Sequence, residues 1–251
     1  MIVCITNQKG GVGKTTTALA MASWLTKNGH KVLLIDMDPQ GNATDTYKAR
    51  IQGEATLYDL LFEDEPASEC IQKTDYGEII ASDPLLKDAS KHLDGVAGAY
   101  RLKEKLEPIA SNYDYIVIDT PPTLGVMLTN ALTASEKVII PVTAERYGIQ
   151  GMSQLQQTIL DIKKYTNHDL VVDGLLVVRH NNRTKLAQTL HEALTAVATQ
   201  MDTKVYKTTI RESTKAKEAQ AARVSIFKYA PYCTTAIDYT IFINEFLKGD
   251  E

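Results

Sequence analysis
Residues Lys9 to Thr16 read Lys-Gly-Gly-Val-Gly-Lys-Thr-Thr and follow directly on an apolar run at the start of the chain. Glycines, lysines and hydroxyls at this spacing suit a phosphate. Gly10, Gly11 and Gly13, with Val12 between them, let the backbone turn until successive N–H groups point at anionic oxygens. A helix starting near Gly13 adds the positive end of its dipole at the same place. Lys14 would then reach the outer phosphates of a nucleotide, and the Thr15 hydroxyl, beside Thr16, would ligate Mg²⁺. The usual pattern asks for glycine where this chain has Gln8. It has instead a second lysine, Lys9, five residues before Lys14. A cation added to a phosphoryl-transfer site can raise the rate by about 10³–10⁵ when it acts as an arginine finger does. Lys9 starts on the rim of the loop and could serve a facing subunit in that way; a solvated surface lysine is the other reading of the same position.

Three aspartates belong to the same chemistry. Apolar runs end at Asp36 and at Asp119, and Asp38 follows two residues after the first. In a parallel sheet, ligands bind beyond the carboxyl ends of the strands, which puts both runs beside the loop. Asp119 is the natural partner of Mg²⁺, through water, because this ion keeps much of its hydration shell. Asp38 is placed to orient an attacking water. Helix caps or turn residues are the alternative reading of these carboxylates.

Strands and helices must alternate to hold these groups. Apolar runs predict strands at 2–6, 32–36, 78–81, 115–119, 137–141 and 171–178, with a shorter one near 204–210. Helical periodicity covers 14–28, 98–110, 125–134, 149–164, 185–200 and 234–247. Leu57, Leu60 and Leu61 suggest one short helix in the least regular part, 43–77. The expectation is an α/β fold, a doubly wound and mostly parallel sheet flanked by helices, in one domain spanning 1–251. A length of 251 residues with 44% hydrophobic content suits a single large core. There is no long apolar stretch for a membrane span and no basic-then-apolar leader, and the chain enters its first strand at once, with no preceding helix-turn-helix domain. Three separated cysteines, Cys4, Cys70 and Cys233, suit a reducing cytoplasm and provide no cluster-binding spacing.

Charge is uneven. The whole chain carries a formal −4, yet residues 204–228 contain seven lysines and arginines against two glutamates. Arg179, Arg183 and Lys185 stand nearby in sequence. Such a cluster is the footprint of phosphate contact with nucleic acid, or else a solvated helix face laced with ion pairs.

The loop, with Val32-Leu33-Leu34-Ile35-Asp36-Met37-Asp38-Pro39-Gln40-Gly41-Asn42-Ala43-Thr44 and Tyr115-Ile116-Val117-Ile118-Asp119-Thr120-Pro121-Pro122, resembles the ParA/MinD family of dimeric ATPases with a deviant Walker A motif. The similarity runs weakly on to Pro231 and Asp238-Tyr239. It implies a Mg²⁺-dependent ATPase that forms an ATP-sandwich homodimer, Lys9 crossing to the partner's ATP, with Asp38 catalytic and Asp36 near the metal. It implies non-specific DNA binding, here through Arg183, Lys215, Lys217, Arg223 and Lys228, and a ParB-like centromere-binding partner that stimulates hydrolysis. The function expected is segregation of a plasmid or other replicon, in a cytoplasmic protein that is nucleoid-associated when ATP-bound. A relative that positions a cargo other than DNA is the alternative. A MinD-like membrane cycle fits less well, since the chain ends Lys248-Gly249-Asp250-Glu251. The family's Ile-Pro-Arg is replaced here by Ile210-Arg211-Glu212, so the resemblance assigns no adenine contact.

Overall fold
A computed structural model describes residues 1–89, 95–143, 152–180 and 186–249. The first strand, β1 (Ile2–Ile5), feeds the glycine loop and then helix α1 (Lys14–Lys27). That helix stops where Asn28 and Gly29 turn the chain, with the Gly29 N–H donating to the Thr26 carbonyl and the His30 N–H to that of Leu25. Gly29 takes a positive φ of 91°, which a glycine adopts without steric cost. The chain continues through β2 (Val32–Asp36), α2 (Asn42–Tyr47), α3 (Leu57–Phe62) and α4 (Ala67–Cys70) to a hairpin of β3 (Ile71–Thr74) and β4 (Gly77–Ile80). Next come α5 (Leu86–Ala89), α6 (Gly95–Ala110), β5 (Tyr115–Asp119), α7 (Val126–Ala134), β6 (Lys137–Thr143), α8 (Met152–Tyr165), β7 (Val171–His180) and α9 (Leu186–Gln200). The last elements are β8 (Ile210–Arg211), α10 (Thr214–Ala221), α11 (Ile226–Tyr229) and α12 (Thr234–Lys248).

Among the described residues the eight strands form one sheet in the order β3-β4-β2-β5-β1-β6-β7-β8. Every pairing is parallel except β3 with β4. The central strands are apolar on both faces and alternate between two cores, as parallel strands covered on both sides must. Cys4, Leu33, Ile35, Ile116 and Ile118 pack toward α3, α6, α7 and α8. Val3, Ile5, Leu34 and Val117 pack toward α1 and α12, where Met21, Leu25, Tyr239, Phe242 and Ile243 are buried. The doubly wound parallel sheet expected from the alternating pattern is what the chain forms.

Two differences stand out. The strand expected near 204–210 shrinks to Ile210–Arg211 and one isolated bridge between Leu175 and Val205. Tyr206 takes its place as a core residue: its ring lies where a Cβ on Gly174 would come within 2.6 Å, and its hydroxyl bonds to Asp173. Strand β3 is an addition within 43–77, because its residues, Ile-Gln-Lys-Thr, are only half-buried and lack an apolar run.

Candidate functional site
The register brings the predicted carboxylates together. Asp119 ends β5 opposite Asp36 of β2 on one side and Ile5 of β1 on the other. The glycine loop springs from β1 just beyond Ile5, so loop and carboxylates share one end of the sheet. Asn7 ties the loop down: its Nδ2 donates to the Pro141 carbonyl at 2.7 Å, and its Oδ1 accepts the Lys9 N–H at 2.9 Å. Gly11 and Gly13 sit in left-handed backbone at φ 73° and 78°, which a side chain would resist. An added Cβ at Gly10 or Gly11 would meet nothing within 4 Å, leaving room above the loop. Gly13 caps α1 without any side-chain bond, so the first-turn N–H groups of a 14-residue helix face this opening.

Lys14 is buried at 6% exposure, and its ammonium donates to the Lys9 carbonyl at 3.2 Å. Burial lowers its pKa, while the charges of Asp119 and Asp38 oppose that shift. Asp119 is fully buried, and among the described residues neither carboxylate oxygen has a hydrogen-bond partner. Desolvation, then the charge of Asp36, pushes its pKa well above the ordinary carboxylate range; the Thr15 hydroxyl, close by but short of hydrogen-bond geometry, and Lys14 act in the opposite sense. A buried carboxylate left without partners is costly unless a cation completes it. Among the described residues no group of three or more histidine, cysteine or acidic side chains is arranged to hold a metal. Mg²⁺ needs none, since one or two carboxylates, substrate phosphates and water suffice. Asp119 with Thr15 fits that requirement.

Asp36 has a different occupation. Its Oδ2 accepts the Thr44 N–H and the Thr44 hydroxyl, both at 2.8 Å, and its Oδ1 accepts the Asp38 N–H at 3.1 Å. Burial nevertheless pushes its pKa up to about 6, against those hydrogen bonds. The Ser82 N–H donates to the Thr44 hydroxyl at 2.8 Å, and the Ser82 hydroxyl donates to the Asp38 carbonyl at 2.6 Å. Asp38 is thus held by its backbone while its carboxylate remains in the site, 8% exposed, accepting the Gln40 N–H at 3.0 Å. Thr44 and Ser82 are positioning residues that motif reading missed. Thr44 lies in a stretch that reads as a motif; Ser82 has no signal beyond following a strand end.

From Gly13 and Thr16 a cleft runs between Val178, Ile210, Arg211 and Tyr239. Arg211 is fixed there by Asp238, which accepts from its guanidinium at 2.8 and 2.6 Å and from its backbone N–H at 2.9 Å.

The basic segment looks less cationic in three dimensions than in sequence. Lys215 pairs with Glu218 at 2.8 Å and Lys217 with Glu212 at 2.9 Å. Arg223 pairs with Asp45 of α2 at 2.8 Å, an acid from a distant part of the chain. Lys228 lies over the Tyr76 ring, 5.0 Å from its centroid. All four are exposed, and Arg183 lies outside the described residues.

Comparison with known proteins agrees with this geometry. A family model described as an AAA domain matches residues 1–172. The sporulation initiation inhibitor protein Soj of Bacillus subtilis is 39% identical over 92% of this chain and 91% of its own. The chromosome-partitioning ATPase Soj of Thermus thermophilus is 36% identical over 97% and 94%. Among solved structures, a protein of Mycobacterium smegmatis described as cobyrinic acid a,c-diamide synthase, with bound ADP and magnesium, superposes with a TM-score of 0.83 at 30% identity, over 98% of this chain and 94% of that one.

Proposed function
The chain belongs to the ParA/Soj family of partition ATPases, and from that premise we propose that it hydrolyses ATP, as a homodimer that holds DNA without sequence preference and segregates a plasmid or other replicon with a ParB-like partner. The observation that carries the proposal is the buried, unpartnered carboxylate of Asp119 at the carboxyl end of β5, beside Lys14.

The loop N–H groups of residues 10–16 and the Lys14 ammonium bind the phosphates, the lysine leaving the Lys9 carbonyl to do so. Asp119 and Thr15 hold Mg²⁺, with Asp36 beside them in register. The ion supplies charge neutralisation at the phosphate oxygens. Asp38, its backbone tied by Asp36 and Ser82, orients the water that attacks the γ-phosphorus as the bond to ADP breaks. Lys9 acts across the dimer on the partner's nucleotide. The exposed cations Lys215, Lys217, Arg223 and Lys228, with Arg183, meet DNA phosphates.

The partition reading is favoured over a membrane cycle by α12. Its residues Tyr239, Phe242, Ile243 and Phe246 are buried in the core, which leaves Ile237 and Ile241 as its exposed large apolar side chains, too narrow a face to lie in a bilayer. Among the described residues no helix is long and apolar enough to cross a membrane. The deciding experiment is retention on unrelated DNA fragments in ATP against ADP. Equal retention in both nucleotides, or none in ATP, would overturn the proposal.

A further inference from the structure
The cations of the basic segment are mostly neutralised within the fold. Lys215, Lys217 and Arg223 each have a carboxylate partner, and Arg211 has Asp238. Lys228 differs. Its ammonium meets the ring of Tyr76, at the turn of the β3–β4 hairpin, and Lys48 meets the same ring from the end of α2, 5.6 Å from the centroid. Neither lysine is paired with a carboxylate among the described residues. Two like charges gathered on one aromatic are tolerated because the ring's quadrupole attracts both, but their mutual repulsion remains. An anion beside them would relieve it.

We propose that Lys48, Tyr76 and Lys228 form a phosphate-binding site for the DNA backbone, extending the DNA surface from the C-terminal segment onto α2. The inference rests on the DNA-binding reading given above. Arg50 lines one groove with Lys48 and Tyr76, its backbone N–H and carbonyl fixed by the Gln72 side chain at 2.8 and 2.7 Å, and its guanidinium likewise has no carboxylate partner among the described residues. The acids nearby are Asp45, Glu78, Glu54 and Asp75; the first two are occupied, by Arg223 and Lys73. Continuity favours DNA over an acidic protein, because Lys228 and Arg223 carry the surface directly from the basic segment to α2. The placement also has a consequence for control. Helix α2 starts at Asn42, and the Gly41 N–H before it donates to the Asp38 carbonyl at 2.8 Å. DNA seated on Lys48 therefore bears on the same short segment that holds Asp38.

The test is a salt titration of the ATP-loaded full chain on two unrelated duplexes, read by fluorescence anisotropy. Lys48 sits in left-handed backbone at φ 55°, so Lys48→Asn removes the charge with a residue that tolerates that conformation. It should weaken binding to both duplexes roughly 3- to 10-fold at moderate salt and lower the log–log salt slope by about one unit. Lys48→Arg should keep both values. Arg50→Gln, which alters no residue of the α2 turn, should lower the slope in the same sense and serves if Lys48→Asn melts early. Wild-type affinity and slope in Lys48→Asn and Arg50→Gln would overturn the site while leaving the DNA reading intact, and would return the patch to an acidic protein partner. A loss confined to one duplex would also overturn it, as base readout. Failure of the wild-type chain to bind either duplex in ATP would overturn both readings.

Discussion
The phosphate-loop end of the sheet and the basic C-terminal segment are both rich in charge, but they treat it in opposite ways. At the sheet end, Asp119 is buried with two bare oxygens and Lys14 is buried on a backbone carbonyl. The charges there are desolvated and short of partners, a state that proteins tolerate at sites awaiting a ligand. In the basic segment, Lys215, Lys217 and Arg223 are exposed and already matched to acids. Surface pairs of this kind are worth about 0–1 kcal/mol and exchange readily for other anions. One region is prepared for a specific ligand held in fixed geometry; the other carries exposed pairs whose cations can exchange one anion for another.

The largest effect expected is on Lys9. Lys9→Ala should bind ATP yet lose about 10³–10⁵ in turnover if the side chain acts across a dimer; unchanged steady-state hydrolysis would return it to the status of a surface lysine. Lys14→Ala should cost about 2–5 kcal/mol of ATP affinity by calorimetry, the cost of removing a buried charge partner. Near-normal affinity would remove the contrast at its root.

Third is the pH dependence of the nucleotide- and Mg²⁺-free protein. Asp36 is raised from 3.8 to about 6 by burial. A raised carboxylate contributes stability that is full below its ordinary value and lost as pH rises through the raised one. Urea unfolding between pH 4.5 and 7 should show that decline, and Asp36→Asn should show a shallower one, with the part due to Asp119 remaining. The same slope in both proteins would sink the assignment.

Smaller still is Ser82→Ala, which frees the Asp38 carbonyl from one bond. It should lower kcat by roughly 2- to 10-fold with little change in KM for ATP, as expected for one hydrogen bond. A KM effect alone would make Ser82 a merely structural residue. The smallest effect is predicted for Lys217→Ala. Because Glu212 already holds this lysine, the change should shift stability by less than about 0.5 kcal/mol and lower the DNA salt slope by at most about one unit. A loss of DNA binding larger than in Lys48→Asn would reverse the ranking of paired and unpaired cations.

What sequence reading recovered follows from range. The loop, Asp36, Asp38 and Asp119 were legible because each is tied to a local pattern, glycines between strand and helix or an apolar run ending in an acid. Strand β3 escaped because a half-buried hairpin strand carries no apolar run. Ser82 escaped because its partners, Thr44 and Asp38, lie 38 and 44 residues away. The pairing of Arg223 was hidden for the same reason, since Asp45 reaches it from a distant part of the chain.

The two margins of the sheet limit how copies of this protein can assemble. Strand β8 is two residues long, and α12 closes its outer side: Asp238 takes the Arg211 N–H and the Thr235 hydroxyl caps the Arg211 carbonyl at 3.1 Å. Strand β3, at the other margin, is four residues long and carries the exposed Lys73. Short, charged or capped margins resist strand-to-strand addition. Polymers built by extending the sheet at either margin are therefore disfavoured, which leaves the loops and helices as the surfaces through which copies of the chain would meet.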